Sequence, residues 1–86
     1  MKYIHIYKTD GTHEKRKTPT KPSLEEMQRL VGGYIEPLKV VHEGHTRTMM
    51  VNEDGRRLDL PFNAKASLIA RRSIYGNVFI LEGYRN

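Results

Sequence analysis

Residues 75–81 read Tyr75-Gly76-Asn77-Val78-Phe79-Ile80-Leu81, a turn pair followed by four consecutive apolar side chains. A short apolar run bounded by turn residues and rich in β-branched and aromatic side chains reads as a strand buried on both faces. Such a strand belongs at the centre of a sheet, and the rest of the chain has to supply its neighbours and its cover. Tyr3-Ile4-His5-Ile6-Tyr7 is a first neighbour, aromatic and β-branched between Lys2 and Lys8. Asp10-Gly11 follows as a two-residue hairpin turn of type I′, in which glycine supplies positive φ. The return segment Thr12–Thr18 is almost wholly polar, so it reads as an edge strand, with Lys15, Arg16 and Lys17 discouraging further pairing.

Pro19 and Pro22 break regular structure before Ser23-Leu24-Glu25-Glu26, a capping box that opens a helix. Leu24, Met27, Leu30 and Val31 fall on one face of that helix, predicted over 23–31 and closed by Gly32-Gly33. Strand character resumes over 34–41, with Pro37 marking an edge or bulge, and returns over 46–51 after the turn His42-Glu43-Gly44-His45. Arg57–Leu60 reads as a short strand. Asn63 is placed to cap a second helix over 64–71, with Arg71 and Arg72 at its C-terminal dipole end. The fold class is α+β: a small, single-layer, mainly antiparallel sheet with two helices expected on one face.

The chain has 86 residues, which argues for a single domain over 1–86 with 1–18 as an N-terminal β-hairpin. It contains no cysteine, which removes disulfide, thiolate, iron–sulfur and Cys-ligated zinc chemistry. No apolar run approaches a membrane span and no signal-peptide core opens the sequence, so a soluble protein of the cytoplasm is expected, with no membrane partner. Net charge is +5, and +4 of it lies in residues 1–21. A concentrated basic segment suits a polyanion, although a charge of this size also serves solubility.

Catalytic and metal motifs are sparse. His42 and His45 form an H-x-x-H, but Gly44 puts them in a turn, and a third ligand would have to come from His5 or His13 through folding. Ser23, Ser67 and Ser73 lack a nucleophile elbow, and Glu53-Asp54 is followed by Arg56-Arg57 where a calcium loop needs acids. Gly32-Gly33 runs from helix to strand, the reverse of a phosphate loop. No enzyme, metal or cofactor is expected. Tyr3, His5 and Tyr7 share a strand face beside basic residues, which suits base stacking or packing in a core. The candidate anion- or partner-binding residues are Lys15, Arg16, Lys17, Lys21, Arg56, Arg57, Arg71 and Arg72. Glu36, a carboxylate within a strand, suits solvent, an arginine partner or a site.

Four motifs taken in order carry a resemblance: Val31-Gly32-Gly33-Tyr34-Ile35-Glu36, Val51-Asn52-Glu53-Asp54-Gly55, Leu60-Pro61-Phe62-Asn63-Ala64-Lys65-Ala66 and Ile74-Tyr75-Gly76-Asn77-Val78. The chain resembles the DUF3846 family over about 24–82, a group of small proteins of phages and mobile elements in bacteria with no assigned biochemical role. The resemblance implies a compact domain of phage or mobile-element origin and no catalytic residues. Gly32, Gly33, Asn63, Gly76 and Asn77 are its structural positions, and Lys15–Lys17 lie outside it. The expected function is non-enzymatic binding of a host or phage macromolecule, a protein first, in a defence or nucleic-acid-processing setting. Direct nucleic-acid binding through the basic segment is the alternative. A homo-oligomer that sequesters an anionic nucleotide between protomers is a third.

Overall fold

The computed structural model describes residues 1–84; residues 85 and 86, the last two of the expected 1–86 domain, lie outside the described residues. The strands are β1 (Tyr3–Tyr7), β2 (His13–Lys17), β3 (Ile35–His42), β4 (His45–Asn52) and β5 (Val78–Glu82), and the helices are α1 (Leu24–Val31) and α2 (Ala64–Ala70). One open sheet has the order β2-β1-β5-β4-β3, antiparallel throughout. The apolar run at 78–81 is therefore the middle strand, as its composition predicts.

The two helices cover opposite faces of the sheet, which corrects the expectation of one shared face. Along β5, Phe79 and Leu81 pack with Ile4, Ile6, Met50 and the α1 residues Met27 and Val31. Val78 and Ile80 pack on the other side with Met49, Val51, Ile74 and Ala66 of α2. Successive strand side chains point to opposite faces, so a strand apolar at every position needs cover on both. Leu24 is exposed at the first helical position, and Leu30 only borders the α1 cluster.

Local chemistry explains each boundary. Ser23 caps α1, its Oγ accepting from Glu26 N at 3.2 Å, and its hydroxyl donates to Glu26 Oε1 at 3.3 Å. Gly32 ends α1 in the left-handed region at φ 79°. The first hairpin uses Gly11 differently from the expected type I′ turn. Gly11 N donates to Lys8 O at 3.0 Å, Gly11 has φ 90°, and Asp10 does not have positive φ. That is a three-residue loop with a glycine bulge. The type I′ turn lies at Glu43-Gly44 instead, where both residues have positive φ.

Residues 53–59 form turns, so the short strand expected at 57–60 is absent; an isolated bridge pairs Phe62 with Tyr75 instead. Asn63 holds this region together. It is fully buried, its Oδ1 caps α2 through Ala66 N at 3.1 Å, and its Nδ2 donates to Tyr7 O and Gly76 O, both at 2.9 Å. Each such buried group would cost about 1–3 kcal/mol if left unsatisfied. Asn77 Oδ1 accepts from Thr9 N at 2.9 Å, tying the start of β5 to the first hairpin. Among the described residues, no helix is long and apolar enough to cross a membrane.

Candidate functional site

All five residues of β2 are exposed, and β2 forms one edge of the sheet. Lys8 N donates to Thr12 O and Thr18 N to Lys2 O at the two ends of the β1–β2 ladder. The alternation between them turns the N–H groups of His13, Lys15 and Lys17 outward. The same three side chains stand opposite Tyr7, His5 and Tyr3, on the sheet face that carries α2. Arg16 and Glu14 occupy the reverse face and pair at 3.0 Å. Lys15 Nζ lies 4.3 Å from the centre of the Tyr3 ring and 3.8 Å from Glu82 Oε1. Among the described residues Lys17 and Lys21 make no ion pair. At the hairpin end Lys65 of α2 donates to Gly11 O at 2.7 Å, adding a third ammonium to this side.

Beneath the basic row lies a polar cluster drawn from four strands. His5 Nε2 donates to Glu82 Oε1 at 2.6 Å. His42 meets the Arg47 guanidinium at Nδ1 (2.9 Å) and Tyr7 Oη at Nε2 (2.8 Å). Because a guanidinium only donates, Nδ1 must accept, so neutral His42 carries its proton on Nε2 and donates to Tyr7. Arg47 also reaches Glu43 at 3.0 Å and Glu82 at 3.7 Å. His13 stacks on Tyr7 with ring centres 4.3 Å apart.

The surroundings fix the charges. Burial pushes the Tyr7 phenol up, and Glu43 adds to that. Burial pulls His42 and His13 down, with His5 as the next cause for both. The hydrogen bond from His5 holds Glu82 below the usual carboxylate range, and the one from Arg47 does the same for Glu43. Shifts of this kind gathered in one place are characteristic of functional sites and of structural ion networks alike. His5 Nδ1 is buried with no hydrogen-bond partner among the described residues.

Folding brings His5 to His42, the third-ligand route left open by the sequence. One ligand atom each from His5, His42 and Glu43 lie within 4.8 Å of one another, close enough to hold a divalent cation. His45, the other half of the H-x-x-H, is exposed and outside this group. The Arg47 guanidinium already bridges His42 and Glu43, so a metal ion there would have to displace a cation.

The remaining basic candidates do not join β2. Arg56 and Arg72 line one cleft of about 190 Å³ together with Glu36 and Glu53, beside β3. Arg57 is held by Asp54 at 2.9 Å, and Arg71, the left-handed C-cap of α2, lines a separate groove with Lys39. β2 and β3 are opposite edges, four strand spacings or roughly 19 Å apart. Arg47 and Glu82 are the members of the cluster that sequence reasoning misses. Their signal is a charge on a strand, Glu82 at the end of the apolar β5 and Arg47 in the polar half of β4, on the side that register turns toward His5.

Over residues 1–86 the chain matches the family model described as a domain of unknown function, DUF3846, and it belongs to that family. No curated protein and no solved structure matches it.

Proposed function

We propose that this member of the DUF3846 family is a non-enzymatic accessory protein of a phage or mobile element, acting in the bacterial cytoplasm, and that the macromolecule it binds along β2 is nucleic acid. One observation carries the reading. The exposed edge strand presents His13, Lys15 and Lys17 in a row on one face and Arg16 on the other, while the nearby carboxylates are engaged by Arg16, His5 and Arg47. An edge with cations on both sides can follow a phosphate backbone without base-specific contacts. Tyr7 lies under His13, which favours phosphate contact over base stacking at that position.

The test is fluorescence anisotropy with labelled single-stranded and duplex DNA over a salt series. Counterion release predicts a log–log slope of about −0.7 to −0.9 per phosphate neutralised. Replacing Lys15, Arg16 and Lys17 by Gln should reduce that slope by about two to three units for every sequence tested. Stability should change by no more than about 0.5 kcal/mol, because the side chains are exposed. Absence of binding at low salt, where the electrostatic attraction is strongest, would overturn the reading.

A further inference from the structure

The other edge of the sheet has a different chemistry. Glu53 N donates to Tyr34 O at the open end of the β3–β4 ladder, and the Glu43-Gly44 turn closes it at the His42–His45 pair. The alternation between these ends bonds the even-numbered residues of β3 to β4 and turns residues 35, 37, 39 and 41 outward. Pro37 therefore sits where its missing N–H takes no bond from the ladder, and it blunts that half of the edge. The N–H groups of Lys39 and Val41 take no backbone partner among the described residues and are open to another strand.

Beside those two residues α2 overhangs the edge. Lys39, Val41, Leu68, Ile69, Ala70 and Arg71 line a groove of about 520 Å³ between β3 and the C-terminal half of α2. Leu68 and Val41 are 80% and 68% exposed, the highest values for any branched aliphatic side chain among the described residues. Lys39 and Arg71 make no ion pair among the described residues. An open strand edge, an apolar wall supplied by a helix on one face and the Lys39 ammonium on the other, where alternation with Leu38 and Val40 puts it, together form the arrangement used for strand addition of an extended peptide. Main-chain bonds supply affinity in that mode, and alternate side chains read the wall and the charges.

We infer that this groove docks an extended segment of a partner protein in which apolar and acidic residues alternate. The segment pairs with residues 39–41, seats its apolar side chains against Leu68 and Ile69 on the α2 face, and sets its carboxylates toward Lys39 on the reverse face, to which strand alternation turns that side chain. The site lies on the edge opposite β2, so it stands or falls independently of nucleic-acid binding.

The probe is an end-blocked, fluorescently labelled peptide of alternating valine and glutamate, with a valine–lysine peptide as its charge-reversed control. The glutamate peptide should bind, and the amide signals of Lys39 and Val41 should shift and gain protection from hydrogen exchange. Lys39→Glu should weaken binding at least tenfold, as should Leu68→Gln on the opposite face, with unchanged circular dichroism and thermal midpoint showing that these exposed substitutions leave the fold intact. Equal binding of both peptides, or protection elsewhere in the sheet, would overturn the inference. Protection of the same amides without peptide, accompanied by dimerisation in sedimentation, would assign the edge to a second copy and would also overturn it.

Discussion

His42 meets a guanidinium at Nδ1 and a phenol at Nε2, so a second proton can bind only by turning an N–H toward Arg47. Burial first, then His5, with Arg47 adding to them, hold the pKa of His42 below the ordinary 6.5 in the folded state, and burial lowers that of His13 in the same direction. Between the folded and unfolded values the unfolded chain binds more protons. The stabilisation is thus complete above about pH 6.5 and is lost as pH falls through the folded values. Glu82 and Glu43 are depressed from 4.5, so their contribution is present above that value and is lost in a second, more acid window. The denaturant midpoint should begin to fall below about pH 6.5 and decline again below about 4.5. His42→Gln, which retains hydrogen-bonding capacity without titrating, should make the first decline shallower. A first decline of unchanged steepness would show that His42 is not coupled to folding.

At the level of elements, the consequential position is the central strand. Ile80 is fully buried against the α2-side cluster, and Ile80→Ala should cost about 2–5 kcal/mol. Leu30 only borders the α1-side cluster, so Leu30→Ala should lower the denaturant midpoint by less. Equal losses would mean that α1 is packed more deeply than its half-buried leucine indicates. Caps, turns and strand positions are written in neighbouring residues, which is why Ser23, Gly32 and Asn63 mark their boundaries in the sequence. The face each helix covers is decided by the path of the chain across the sheet, which no local pattern encodes. Yet Val78-Phe79-Ile80-Leu81 held the answer: a strand with no polar alternation needs a helix on each side. The His5–Glu82–Arg47–His42 cluster was beyond local reading because its members come from four strands and meet only once the register is set.

Across the whole molecule, β5 is last in chain order and central in space, joining the hairpin β1–β2 to the hairpin β3–β4. Each hairpin is local, whereas Tyr7 meets Val78 across most of the chain. Non-local pairing slows folding, so refolding should take milliseconds to seconds, as in other sheet-dominated domains. With the hairpins forming before β5 docks, Gly44→Ala in the second turn should slow folding, while Ile80→Ala should act mainly by accelerating unfolding. The reverse partition in a chevron plot would place β5 docking first. Until β5 inserts, β1 and β4 each offer an open side lined with apolar residues, and neither carries the lysines of β2 or the proline of β3. The permanent borders of the sheet are blunted by the lysines of β2 and, over half the length of β3, by Pro37, and the temporary ones are not blunted at all. The period of greatest exposure to aggregation is therefore the interval before the last strand arrives, and a partner or chaperone that shortens it would raise the yield of folded protein without touching its final stability.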